Sequence, residues 1–423
     1  MKLRYFLASS AVLFALTKGQ SQQPATSIQL QEQAVLQKNQ SLSNSLVKNI
    51  PFENIGPSVM SGRIVDIAVN PDMPSEFYAG YASGGLWYTN NNGTTFTPVM
   101  DNAPTQNVGE VTVDWKSGTI WVGTGENNAS RSSYAGIGLL KSTDKGATWQ
   151  NMGLIDSHHI GRILINPSNP DEVVVGALGH LYSDNEERGI YKTKDGGKTW
   201  KKTLFIDNKT GIIDIDNDPA NFNLMYASAW QKDRKAWNFE GAGAGSGIYK
   251  STDGGDTWQQ LTNFPSGDGV GRIGIAVYDE NTVYAVHDSQ FRREGDGKKS
   301  SSSKLEKDDF KTMSKEALLA LDDKKLDSYL KRNGFQEKYR AANVKSMVRQ
   351  GDVQPVDLAT YLETANTQMF DTPVVGAEVY RSNDGGATWS KTHKGYIEDL
   401  YYSYGYYFGA INVNPSDAQD IYI

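Results

Sequence analysis

The chain has 423 residues, with 42 Gly, 22 Tyr, 9 Trp, no Cys and a formal net charge of −7. Without Cys, a disulfide scaffold, a Cys-based zinc site and a Cys nucleophile are excluded, and the acidic balance argues against nucleic acid, whose phosphate backbone calls for clustered Lys and Arg. Abundant Gly with 11% aromatic residues points to tight turns and bulky packing, hence a β-rich architecture rather than a helical bundle.

At the N-terminus, Lys2 and Arg4 precede an apolar run from Phe6 to Leu16. The run has the length of a signal-peptide core and is too short to span a bilayer. Gly19 and Ser21 follow at a cleavage spacing, so residues 1–21 are expected to be an export signal. The mature protein is then secreted, whether extracellular, periplasmic or on the cell surface, and no transmembrane segment is expected. Residues 22–49 are rich in Gln, Ser and Asn and read as a flexible or weakly helical lead-in.

From about residue 50 one motif recurs, Ser/Thr-x-Asp-x-Gly-x-Thr-Trp. It stands as TNNNGTTF from Thr89, STDKGATW from Ser142, TKDGGKTW from Thr193, STDGGDTW from Ser251 and SNDGGATW from Ser382, at spacings of 53, 51, 58 and 131 residues. Its physics is a hairpin corner. The Asp and Ser/Thr side chains bond nearby backbone groups, Gly supplies a positive φ, and the Trp plugs the gap to a neighbouring unit. Asp144, Asp195, Asp253 and Asp384 are therefore read as structural. In the first copy Asn91 stands for the Asp and Phe96 for the Trp.

Each repeat predicts four strands. An alternating inner strand (Ile64–Val69, Ile163–Ile165) ends at Asn70-Pro71, Asn166-Pro167, Asp218-Pro219 or Asn414-Pro415. A second strand follows, a third leads into the motif, and a fourth leaves it. Radial repetition of four-stranded units makes an all-β propeller. Five motifs give five blades, and Ala410–Val413 with Ile421–Ile423 begins a sixth. Because a propeller closes to remove its sheet edges, the 423 residues are expected to belong to a longer ring, with Phe52–Ile55 completing its last blade.

The 131-residue spacing signals an insertion in the fifth blade, near residues 293–371. A linker, GDGKKSSSSK, opens it. Ser314 and Asp322 then read as helix N-caps, Asn333-Gly334 and Gly351 as stops, and Pro355 as a helix start. Apolar stripes through Leu326, Tyr329 and Leu330, through Val344, Met347 and Val348, and through Leu358, Tyr361, Leu362 and Ala365 predict a small helical core.

The repeated motif makes the chain resemble the Asp-box (BNR) repeat proteins, a group that includes sialidases, xyloglucanases and the sortilin ectodomain. The stretch GRIVDIAVNPDMPSEFYAGYASGGLWYTNNNG, residues 62–93, is most similar to the bacterial sortilin-like branch, often labelled glycosyl hydrolase. The resemblance covers about residues 50–423. It implies a propeller and either ligand binding or glycan chemistry, since fold alone does not fix function.

Blade topology puts the motif corners on one face and the links between second and third strands, with those between blades, on the other. These links are long and polar: Thr124–Gly136, Ala177–Gly189, Ala229–Gly247, Asp156–Arg162 and Glu398–Gly409. That face gathers His158, His159, His180 and His287. Arg63, Arg162 and Arg272 follow Gly at inner-strand starts, near the mouth of the central channel. Arg131, Arg188, Arg234, Trp230 and Trp237 join them. The arginines would clamp ligand carboxylates or pair with neighbouring blades, and the aromatics would stack on sugar or peptide or pack between loops. No spacing predicts three convergent metal ligands, and neither metal nor cofactor is expected.

Two functions fit. The first is a secreted module binding a peptide or glycan on this face. The second is a glycoside hydrolase, which needs two carboxyls about 5 Å apart if retaining and about 6.5–9.5 Å if inverting. Glu126 with Glu186 or Glu187 is the pair the loops offer. Sialidases start with Arg-Ile-Pro, whereas here Arg63-Ile64 is followed by Val65 and Arg162-Ile163 by Leu164, which argues against that activity. The xyloglucanase Thr-Asp-x-Gly-Gly segment is matched nearest by Thr89-Asn90-Asn91-Asn92-Gly93, where amides stand in place of the acid, so no catalytic residue is carried over.

Overall fold

The computed structural model describes residues 25–50, 62–235, 238–291, 305–307, 309–360, 376–395, 397, 405–407 and 409–423. The chain divides into Met1–Glu53 and Asn54–Ile423. In the first unit Ile28–Asn44 is an α-helix whose N-cap Ser27 accepts from Leu30 N at 3.4 Å, and none of its residues is buried. The expected export signal and the Phe52–Ile55 strand lie outside the described residues. No helix among the described residues is long and apolar enough to cross a membrane.

In the second unit, among the described residues, five four-stranded antiparallel sheets and the two-stranded start of a sixth follow in chain order, and a short two-stranded ribbon, Asp233–Arg234 with Phe239–Glu240, stands within the fourth blade's long link. The inner strands are Ile64–Val69, Val108–Asp114, Ile160–Ile165, Thr210–Asp218, Val270–Val277 and Asn412–Asn414. Neighbouring inner strands pack side by side. The protein is an all-β propeller of Asp-box blades, five of them complete and a sixth begun, with a helical insertion. No ladder joins the first blade to the sixth among the described residues.

The blades repeat three devices. Asn70, Asn166 and Asn414 each hold the turn after an inner strand, accepting from the amide two residues on at 2.9–3.0 Å and donating to an acid six residues on. At the Asp-box, Asp144 accepts from Ser142 Oγ and Thr148 N, both at 2.8 Å, and from Thr148 Oγ1 at 2.6 Å. Gly146 closes the turn at φ 92°. The Trp then reaches the preceding blade: Trp149 donates to Val99 O at 2.9 Å and Trp200 to Met152 O at 2.7 Å. In the first box Asn91 reproduces the pattern through its amide, accepting from Thr89 Oγ1 and Thr95 N.

The core lies mainly between blades. Trp121 and Leu139 of the second pack on Ile160, Ile163 and Val175 of the third. Trp121 is 1% exposed, and truncating such a residue to Ala costs about 3–5 kcal/mol. The insertion holds helices Lys315–Leu319, Asp323–Arg332, Ala341–Gln350 and Pro355–Thr360 around their own cluster, with Phe310, Leu326, Leu330 and Val348 fully buried. Ser314 and Asp322 cap two of them, accepting from Ala317 N and Lys325 N.

Candidate ligand-binding site

Inner-strand pairing slips beside Asp66, Glu110, Asp214 and Ile273. Such bulges re-aim side chains, and here Asp66, Glu110 and Asp214 line a central cavity of about 520 Å³ together with Arg162 and Arg272. Arg162 bridges two carboxyls, with Nη1 3.5 Å from Glu110 Oε2 and Nε 3.5 Å from Asp214 Oδ1. Its side chain is 35% exposed, and Arg162 lines the channel.

The channel acids also tie blade to blade. Asp66 accepts from Val111 N at 2.9 Å, Asp214 from Ile275 N at 3.0 Å and Asp216 from Val277 N at 2.7 Å. Burial pushes the Glu110 carboxyl well above its usual range, with Arg162 opposing. Burial likewise raises Asp216 to about 7 against its bond from Val277. The Arg162 guanidinium is raised, chiefly by the Glu110 charge, so it stays a fixed cation.

The mouth is organised around Glu126, which is fully buried. Arg63 grips it bidentately, Nε to Oε1 at 2.9 Å and Nη2 to Oε2 at 2.6 Å. Tyr407 and Asn128 donate to the same Oε1. Arg272 donates to Asn128 Oδ1 at 2.6 Å and to Tyr407 O at 3.1 Å. Asn127 donates to Gly109 O. A Cβ at Gly109 would collide with the carbonyls of Gly125 and Ile160, so the glycine permits this close approach.

The other sequence candidates are more dispersed. Trp230 is fully buried, donating to Gly241 O and packed on Leu178, Ile213 and Phe239, so it offers no open ring face. Arg188 is buried and spends its two amino groups on the carbonyls of Leu178, His180, Ser183 and Lys209. His159 is buried against Glu126 O at 2.8 Å. Arg131 is exposed, its carbonyl taking the Tyr182 hydroxyl. Arg234 is buried over the Phe239 ring. Glu186 is exposed, and Glu187 is half-buried, its carboxyl raised by burial and by Asp156. Trp237 lies outside the described residues.

One gathering has no counterpart in sequence spacing. His158 and His180 stack with ring centroids 3.9 Å apart, and ligand atoms of Asp156, His158 and His180 all lie within 4.8 Å of one another. Links from two different blades meet, and linear spacing does not report that.

Sequence reasoning also passed over Glu110, Asp66, Asp214, Asp216, Asn128 and Lys232. Glu110 carried a readable signal. It follows Gly109 at the repeat position where the third blade has Gly161-Arg162, an opposite charge on an adjacent inner strand. Lys232 is buried, and burial with the Arg188 and Arg234 charges lowers its ammonium to about 7.

The family described as Sortilin-Vps10 (sortilin, neurotensin receptor 3) matches residues 138–347. A probable oligoxyloglucan-reducing end-specific xyloglucanase of Neosartorya fischeri is 28% identical over 171 residues, 38% of this chain and 19% of the relative. A xyloglucanase of Paenibacillus sp is 25% identical over 244 residues, 51% of this chain and 22% of the relative. The chain thus spans about a fifth of the length of the curated relatives it matches. Among solved structures, the GH74 xyloglucanase of Xanthomonas campestris is 16% identical with a TM-score of 0.47, covering 85% of this chain and 43% of its own. A GH74 enzyme of Niastella koreensis gives 16%, 0.48 and the same coverage. The chain is thus similar to the sortilin family over residues 138–347, in keeping with its Asp-box motif.

Proposed function

We propose that this sortilin-like Asp-box propeller is a secreted ligand-binding module that takes a polar chain, a glycan in the first instance and a peptide in the second, on the loop face and into the central channel. The observation that carries this reading is Arg162, a fixed cation partly open to a 520 Å³ channel between Glu110 and Asp214. Charged and amide groups on a rigid inner-strand scaffold suit recognition of hydroxyls or carboxylates. The xyloglucanase names of both curated relatives favour a glycan. The Glu126 pair considered for hydrolysis is not carried further, because Arg63 occupies both carboxylate oxygens.

A second reading, glycoside hydrolysis, draws on the same channel. Burial pushes the Glu110 carboxyl upward, the direction a general acid needs, and Asp214 lies on the other side of Arg162. The test is a glycan and peptide array probed with the wild-type chain and Arg162→Gln, alongside reducing-sugar release from xyloglucan. Retention lost in the variant without sugar release supports binding. Sugar release abolished by Glu110→Gln supports hydrolysis, and neither retention nor release rejects both.

A further inference from the structure

We propose that Asp156, His158 and His180 form a binding site for a divalent transition metal of the zinc class, with Glu187 at its edge. This goes beyond the channel reading and does not depend on it.

Four observations converge. First, the ligand set is two imidazoles and a carboxylate, the donors zinc and its neighbours prefer when thiolates are missing. Their ligand atoms already lie within 4.8 Å of one another, and metal–ligand bonds of about 2.0–2.2 Å need only a modest contraction.

Second, two polar atoms are left without a partner. His158 Nε2 and Glu187 Oε2 are buried and make no hydrogen bond among the described residues. An unpaired buried polar atom is costly, and a cation held by Asp156 and His180 would give His158 Nε2 a partner.

Third, the outer shell is in place. His180 Nδ1 meets Ser183 Oγ at 2.8 Å, leaving Nε2 directed at Asp156 Oδ1, 3.2 Å away. A hydrogen bond on one imidazole nitrogen is how proteins aim the other at a metal. Asn185 ties the two loops, donating to Asp156 O at 2.7 Å and accepting from His180 N at 3.0 Å. Arg188 donates to both His180 O and Ser183 O.

Fourth, His158 holds φ 62° directly after the 3₁₀ turn Ile155–Ser157. A non-glycine residue in this region is strained and needs surroundings that fix it. Its carbonyl accepts from Gly136 N at 2.7 Å, which fixes the backbone while the side chain stays at the cluster. The rings lie face to face at 21°, so a shared ion requires one to turn about its Cβ–Cγ bond. His158 is the ring that turns, since no hydrogen bond holds its Nε2.

The test is titration of the tag-free chain with Co²⁺ followed by absorption spectroscopy, then displacement by Zn²⁺. The expected result is one bound Co²⁺ per chain, displaced by Zn²⁺. Affinity should fall at least tenfold in Asp156→Asn and in His158→Gln, and by about tenfold in Ser183→Ala, which touches only the outer shell. Asp156 is 35% exposed, so Asp156→Asn should keep the wild-type circular dichroism and urea midpoint. No uptake by the wild type would overturn the proposal, as would unchanged affinity in a folded Asp156→Asn/His158→Gln/His180→Gln chain.

Discussion

Arg63 and Glu126 meet through two parallel hydrogen bonds of 2.9 and 2.6 Å, joining the start of the first blade's inner strand to the second blade's loop at the channel mouth. Glu126 has no exposed side-chain surface, whereas Arg63 keeps 36%. Removing the cation strands a buried carboxylate, which is costlier than removing both charges. Arg63→Met should therefore lose about 3 kcal/mol in urea unfolding. Arg63→Met/Glu126→Gln should lose less than the sum of the single changes, and additivity would show that the pair is not coupled.

The Asp-box carboxylates make the fold acid-sensitive in a defined window. Hydrogen bonds from Thr148 and Thr388 hold Asp144 and Asp384 at about 2, below the usual 3.8. A depressed folded pKa contributes stability above the unfolded value and loses it as pH falls through the folded one. Melting temperature should drop between pH 3.8 and about 2. Asp144→Asn should reduce that slope and keep the fold near neutrality, because Asn91 already serves the first box.

Asp216 works in the opposite direction. Its carboxyl is raised from 3.8 to about 7, so between these values the folded state holds a proton that the unfolded state has lost. Its contribution to stability falls as pH rises through that window. Asp216→Asn keeps an acceptor for Val277 N and should be more stable than wild type at pH 8 by about 1–2 kcal/mol. A less stable variant there would contradict the assignment.

The stacked histidines add a third dependence. His158 is lowered from 6.5 to about 4 by burial, then by the His180 charge. The unfolded chain takes up a proton first, so stability declines as pH falls from 6.5 towards 4. His158→Gln should flatten the thermal-melt profile over that range.

The blade plan was legible because its signals are local. Four of the five Asp-boxes keep Asp, Gly and Trp at fixed offsets, and the turn after four of the inner strands is an Asn or Asp followed by Pro, Asn70-Pro71 being the first. The caps Ser314 and Asp322 are local too. The site was less legible because it is built across blades. Glu126 looked like a catalytic acid in a polar loop, but its partner Arg63 lies 63 residues away. Trp230 left stacking on a ligand and packing between loops both open, and only the fold shows it buried against Leu178, Ile213 and Phe239. Asp156 and His180 are 24 residues apart and meet only because adjacent links share one face.

The central claim is that the channel around Arg162 receives a ligand. Calorimetric titration of the wild-type chain and Arg162→Gln with xyloglucan oligosaccharides, followed by the best array ligand, tests it most directly. The account predicts a saturable isotherm for wild type, weakened at least tenfold by Arg162→Gln, with the variant still folded. Equal affinity in a folded variant would contradict it.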